Sequence, residues 1–290
     1  MRPTLFSLPL GRGIELHTYG LAIALGFTLG VVVAARQARR AGLDGDAFVD
    51  LLFWILVTGI LGSRLAFVLL HAPEYGHLCA GPEAARSWGR VLADCAAPLR
   101  IWEGGLVFYG GALGAAGAVA LFARRHRWPF GKVADALAPA LALGHAVGRV
   151  GCFFAGCCYG KPWSRGVVFP RASVAFDELV RAGGVSADAA STPPLHPTQL
   201  YEAGGELAIF FVLLYDRRRL RFDGATALLY AILYGALRFG VEIFRADAGR
   251  GFVAGGLSVA QVVSVGLVVA AAAVLVHRAR VKPAERRRAP

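Results

Sequence analysis

An all-α integral membrane protein of about seven spans, with a small outer cap built from two long loops, is the fold the sequence predicts. Three observations carry that expectation. Of 290 residues 56% are hydrophobic and only 17% charged, and mean hydropathy is +0.54, more apolar than a soluble domain of this length requires. The apolar residues gather in runs of roughly 20, the length that crosses a hydrocarbon core. The basic residues, which give a net charge of +12, fall in short clusters between those runs and so report topology rather than a nucleic-acid surface.

In chain order the expected spans are about 17–35, 47–70, 105–123, 133–157, 198–215, 224–244 and 253–277. The first run lacks a small-residue cleavage site followed by soluble sequence and is read as a retained span. Arg36, Arg39 and Arg40 follow span one; Arg124, Arg125, Arg127 and Lys132 follow span three; Arg217, Arg218, Arg219 and Arg221 follow span five. The tail 278–290 adds Arg278, Arg280, Lys282 and Arg286 to Arg288. The positive-inside rule puts these four segments in the cytoplasm and the N-terminus outside. The outer side then receives the two long connections, 72–104 and 158–197, and a single transmembrane domain covers 1–290. No internal repeat and no linker to a second domain is evident.

Several spans carry polar groups whose burial requires partners. Arg149 lies at the end of span four within GHAVGRVGCFFAGCCYG. A guanidinium placed in hydrocarbon costs roughly 2.5–3.5 kcal/mol on insertion scales, so it should face the protein interior and an anion. Arg64 interrupts span two. Span five opens with HPTQLYEAGGE, setting His196 at its mouth and Glu202 and Glu206 on one helical face. In span six Tyr234, Arg238, Glu242 and Arg245 recur at i, i+4, i+8 and i+11 as one polar stripe. Arg238 against Glu242 could be a self-satisfied ladder; polar stripes on several spans suggest a shared cavity, slightly cationic if Arg64 joins Arg149, Arg238 and Arg245. A phosphate-bearing lipid head group fits such a site, because arginine engages phosphate oxygens through two parallel hydrogen bonds. The glycine pairs of EGGLVFYGG serve either backbone approach by a ligand or close helix packing.

Five cysteines are too few for a disulfide scaffold. Cys79 and Cys95 suit one bridge if their loop faces an oxidising compartment, and Cys152, Cys157 and Cys158 read as buried small hydrophobes, a local disulfide or a redox group. C-x4-C-C lacks the C-x2-C spacing of zinc loops, so no metal site is expected.

Taken in order, HTYGLAIALGF around Tyr19, GGLVFYGG, GRVGCFFAGCCYG, HPTQLYE and YGALRFGVEIFR make the chain resemble the bacterial prolipoprotein diacylglyceryl transferases. The resemblance implies a multi-pass inner-membrane enzyme, with phosphatidylglycerol and the lipobox cysteine of prolipoprotein signal peptides as substrates, membrane lipids around it, and neither cofactor nor nucleic acid. It implies that Arg149 and Arg238 hold the lipid phosphate, and that Tyr19, Glu202, Tyr234, Glu242 and Arg245 orient those arginines or shape the cavity. Three positions depart from the family pattern. Tyr109 stands where the family usually has His, Cys152 where it has Asn, and Cys157 where it has Glu.

The implied reaction is attack by a peptide thiolate on the glycerol carbon bearing the phosphate, with glycerol phosphate leaving and a thioether remaining. Arg149 and Arg238 would stabilise the leaving phosphate, Tyr109 would hydrogen-bond it, and His196 or His145 would serve as base. Two other classes stay open on the sequence: a seven-span lipid carrier that has lost the chemistry, marked by Tyr109, and a thiol redox membrane protein resting on the cysteines.

Overall fold

The computed structural model describes residues 4–8, 14–73, 97–100, 105–216, 222–246, 251–253 and 255–288. Cys79, Cys95, Gly104 and the Arg217–Arg221 cluster lie outside them, so the bridge considered for the first long loop lies outside the described residues. The chain is a mainly helical membrane protein in which, among the described residues, five helices are long and apolar enough to span: Thr18–Arg40, Gly45–Leu70, Phe130–Ala155, Ala225–Glu242 and Val259–Arg278.

In order, α1 (Thr18–Arg40), α2 (Gly45–Leu70), α3 (Phe108–Arg125), α4 (Phe130–Ala155), α5 (Val174–Arg181), α6 (Thr198–Asp216), α7 (Ala225–Glu242) and α8 (Val259–Arg288) follow a short hairpin of β1 (Thr4–Leu8) and β2 (Ile14–His17). The hairpin pairs Leu8 with Ile14 and Thr4 with His17, an element the apolar-run reading does not see. Helices α3 and α6 stand at the positions of the other two expected spans but are less apolar. Four glycines and the terminal Arg124 and Arg125 dilute α3, and Gln199, Glu202 and Glu206 load the first turns of α6.

Contacts divide the chain into two compact units, 38–133 and the remainder. In the first, Asp44 caps α2 by accepting from the amides of Asp46 at 2.9 Å and Ala47 at 3.3 Å, which satisfies amides that have no intrahelical partner. Helices α2 and α3 pack through glycine. A Cβ on Gly62, Gly110 or Gly114 would meet the backbone of the facing helix, so the YGG motif is used for close helix packing. Arg64 belongs to this unit, where its Nε donates to the Pro98 carbonyl at 2.8 Å and its Nη1 to the Gly105 carbonyl at 3.3 Å.

In the other unit, α4, α6 and α7 share an apolar core. Ala138 and Ala142 of α4 meet Ile209 and Leu213 of α6, with Leu233 and Leu237 of α7 packed against them. Asp135 of α4 closes this layer at one end, accepting from the amides of Gly224 at 2.7 Å and Ala227 at 2.9 Å. It therefore caps α7 from a neighbouring helix, where Gly224 supplies no side chain of its own. Gly26 and Gly144 let α1 and α4 approach closely, since a Cβ at Gly26 would stand 3.0 Å from the Gly144 carbonyl oxygen.

The second long connection is folded. Strand β3 (Pro162–Val167) bridges to Leu195, and α5 is capped by Ser173, whose hydroxyl accepts from the Phe176 amide. Tyr159, Phe169, Ala175 and Leu195 form its small core. Its ends are pinned to the helices: the Gly160 amide donates to the His196 carbonyl at 3.0 Å and the Lys161 amide to the Phe244 carbonyl at 2.7 Å.

Candidate functional site: an arginine and glutamate cluster beside three thiols

Three helices of the second unit bring their polar residues to one place. From α4, Arg149 presents Nη2 to Glu202 Oε1 of α6 at 2.9 Å, and its Nε donates to His145 Nε2 at 3.1 Å. His145 in turn sets Nδ1 2.7 Å from Glu206 Oε1. From α7, Arg238 Nη1 lies 2.6 Å from Glu242 Oε2, and Arg245 Nε approaches the same oxygen at 3.9 Å. The three carboxylates are almost wholly enclosed, with Glu202, Glu206 and Glu242 at 1%, 0% and 2% exposure. Glu202 and Glu242 are offset by arginine partners, and Glu206 stands against His145.

Tyr234 joins the two halves. Its ring stands 5.5 Å from that of His145 and stacks on Tyr230 at 5.8 Å, and it lies within electrostatic reach of Glu202, Arg238, Arg149 and Glu206. Arg149 and Arg238, from separate helices, thus converge on one tyrosine.

Within this unit Arg149, Arg238 and Arg245 face three glutamates, an even balance that a proton on His145 would tip. Arg64 belongs to the other compact unit, where it donates to two backbone carbonyls. An arginine has five N–H donors. The carboxylates take one or two nitrogens of each guanidinium, and Arg149 Nη1 is left without a partner among the described residues.

The remaining sequence candidates are placed as follows. Tyr19, at the start of α1, lies over Gly151, and a Cβ there would stand 3.4 Å from its Cδ2. Tyr109 sits at the start of α3 in the first unit, 69% exposed and edge-on to Phe108. His196 is held in an aromatic nest. It stacks on Trp163 at 4.6 Å, packs against Phe244 at 5.2 Å, and shares a hydrogen bond with the Tyr201 hydroxyl at 3.1 Å. Of the two histidines weighed as base, His145 is the one in the arginine cluster, with both ring nitrogens engaged.

Beside Arg149 the chain gathers three of its five cysteines. Helix α4 ends at Ala155, and Gly156, with φ of 76°, reverses the chain in the left-handed region, its amide returning to the Cys152 carbonyl at 2.9 Å. Cys157 and Cys158 consequently fold back over Cys152, and all three Sγ atoms lie within 4.8 Å of one another as free thiols. The start of α6 fixes the turn. Gln199 Nε2 donates to the Cys157 carbonyl at 2.7 Å and Thr198 Oγ1 to the Cys158 carbonyl at 2.6 Å. Linear spacing argued against a metal site; this reversal removes the premise, because proximity comes from the helix cap rather than from a C-x2-C loop.

Comparison with known proteins adds the decisive observation. The family model described as prolipoprotein diacylglyceryl transferase matches residues 3–277. The chain belongs to that family. Among curated relatives, the phosphatidylglycerol–prolipoprotein diacylglyceryl transferase of Xanthomonas axonopodis pv. citri is 36% identical over 280 residues, covering 92% of this chain and 87% of its own. That of Clostridium tetani is 31% identical over 249 residues, covering 85% and 86%. That of Finegoldia magna is 32% identical over 259 residues, covering 89% of each. Sequence reasoning weighed His145 as a base and set Glu206 on one helical face with Glu202; in the structure His145 stands between Glu206 and Arg149.

Proposed function

We propose that this chain transfers the diacylglyceryl group of phosphatidylglycerol to the lipobox cysteine of prolipoproteins, forming a thioether and releasing glycerol phosphate. The observation that carries the reading is the convergence of Arg149 and Arg238, from two helices of one compact unit, on Tyr234. Phosphate oxygens accept the guanidinium donors left over by Glu202 and Glu242, and the charge that develops on the leaving phosphate strengthens those bonds in the transition state. Glu202, Glu242, Arg245, Tyr19 and Tyr234 orient the pair and wall the cavity.

The thiol must lose its proton before it attacks, since the thiolate is the nucleophile and its ordinary pKa lies near 8.5. Tyr109 is assigned a hydrogen bond to the phosphate and His196 the receipt of a proton, the roles their positions in the motifs imply. The chain is assigned seven spans in a bacterial inner membrane, with the N-terminus and the folded 156–197 connection outside and the basic tail in the cytoplasm. The alternation of basic clusters supports that orientation.

Purified protein in phosphatidylglycerol micelles, given a lipobox peptide, is expected to release glycerol phosphate, and a peptide with Ser for the cysteine should release none. Restoration of lipoprotein modification in a transferase-depleted bacterium is the cellular counterpart. Binding of phosphatidylglycerol with no release under either condition would make the chain a carrier and end the enzymatic reading.

A further inference from the structure

We propose that Cys152, Cys157 and Cys158 form a three-thiolate site for a thiophilic divalent cation of the zinc class, whose open fourth position takes and activates the incoming thiol. The inference rests on the transferase reading for the identity of that thiol. The site itself stands on geometry. Zinc–sulfur bonds of about 2.3 Å at tetrahedral angles place neighbouring sulfurs roughly 3.8 Å apart. The three sulfurs here already lie within 4.8 Å of one another. Collecting them on one ion takes movements of about 1 Å or less.

The surroundings are those of a built site. Two residues of the turn, Cys157 and Cys158, are pinned through their carbonyls by Gln199 and Thr198. Cys158 holds φ of 57°, a conformation that a non-glycine residue adopts at some cost and that collects at functional positions. Three thiolates and a divalent ion carry one net negative charge. Arg149 and Arg245 both lie within electrostatic reach of Cys158 to offset it.

Three protein ligands with one position left open is the arrangement of catalytic rather than structural zinc. A thiol entering that position is deprotonated outright by the ion. This answers the deficit at Tyr109, which stands where the family usually carries a histidine. The bookkeeping of atoms is simple. The peptide S–H proton leaves to His196, the base assigned above, the sulfur lone pair forms the new bond to the glycerol carbon, and the carbon–oxygen bond to phosphate breaks with its electron pair on the phosphate. The neutral thioether is a weak ligand and departs. No electron is gained or lost. Arg149 is within electrostatic reach of Cys158 and Cys152 on one hand and of Tyr234 on the other, which brings sulfur and phosphate to one guanidinium.

The full-length protein, purified in detergent and loaded with Co2+ as a spectroscopic probe, tests the site without turnover. One ion per chain with a thiolate-to-cobalt charge-transfer band is expected, and Cys157→Ser should lose most of the band. Addition of a cysteine-bearing lipobox peptide should raise the band by about a third, from three thiolates to four, whereas the Ser peptide should leave it unchanged. Phosphatidylglycerol binding by Cys157→Ser serves as the control that the variant is folded. A wild-type protein that binds no Co2+, a triple Cys→Ser variant that binds it equally, or a band indifferent to the cysteine peptide overturns the proposal. Should the band respond to peptide while no glycerol phosphate is ever released, the cation site stands and the transferase reading fails. Full glycerol phosphate release by the triple Ser variant does the reverse.

Discussion

His145 sets its Nδ1 2.7 Å from Glu206 Oε1 while its Nε2 accepts from Arg149 Nε at 3.1 Å. With Nδ1 carrying the proton toward the carboxylate, Nε2 is left as the acceptor that aims the guanidinium. The relay runs from a fully buried glutamate through a histidine to an arginine assigned to the lipid phosphate, and makes His145 a positioning residue. His145→Phe removes the acceptor and keeps the ring. A hydrogen bond to a charged group contributes about 1.5–3 kcal/mol, so the KM for phosphatidylglycerol should rise roughly ten- to a hundredfold. His145→Gln, which can still accept, should recover much of that loss. Equal KM values for wild type and both variants would remove the relay.

The two proposed phosphate-binding arginines are each tied to one buried carboxylate, and that pairing governs how they can be probed. Removing one member of a buried pair typically costs about 3–5 kcal/mol because a charge is left uncompensated. Arg149→Ala should therefore lower both activity and thermal stability in detergent. Arg149→Ala combined with Glu202→Gln should restore most of the stability and none of the activity. Loss of one such donor costs roughly a hundred- to a thousandfold in rate. Glycerol phosphate release and unfolding temperature, measured on the same preparations, separate the two effects.

These residues also show what was legible in the sequence. Arg149, Arg238, Glu202 and Glu242 stand out because charge within apolar runs must find a partner, and helical spacing names the candidate on the same helix. Partners from other helices have no such signature. Asp135 caps a helix through Gly224, 89 residues later, and Arg64 satisfies backbone carbonyls 34 and 41 residues away. The three thiols were read as buried small hydrophobes, a local disulfide or a redox group, and the gathering of all three depends on the positive φ of Gly156, which spacing does not encode. The same limit applied to the 156–197 connection, whose strand is tied to Leu195 by isolated backbone bridges and whose helix packs Ala175 against residues distant in sequence.

Asp135 yields the third prediction. Its two oxygens cap α7, the helix bearing Arg238, from α4, the helix bearing Arg149. Asp135→Ala leaves the Gly224 and Ala227 amides without that acceptor, and loss of a side-chain cap costs about 0.5–2 kcal/mol. The expected outcome is a lower unfolding temperature together with a fall in glycerol phosphate release, although the residue lies more than three helical turns from Arg149 in the sequence of α4. Asp135→Asn retains one carbonyl acceptor and should fall between. If Asp135→Ala unfolds as wild type does, the cap contributes nothing measurable.

The packing of α2 on α3 supplies the fourth. Gly62 and Gly110 face each other so closely that a Cβ on either would meet the other's backbone. Side chains there must push the helices apart, and forced separation in a packed core typically costs about 1–3 kcal/mol. Gly110→Val should therefore destabilise the unit 38–133, which also holds Arg64 against the Gly105 carbonyl at 3.3 Å. Gly117, on the same helix, has open space where a Cβ would go, and Gly117→Ala should be neutral or slightly stabilising through its better helix propensity. Accumulation in the membrane and unfolding temperature of the two variants provide the comparison. A Gly110→Val protein as stable as Gly117→Ala would mean that the glycine pair does not set the helix distance, and the YGG motif would then have to be explained by a ligand at the backbone instead.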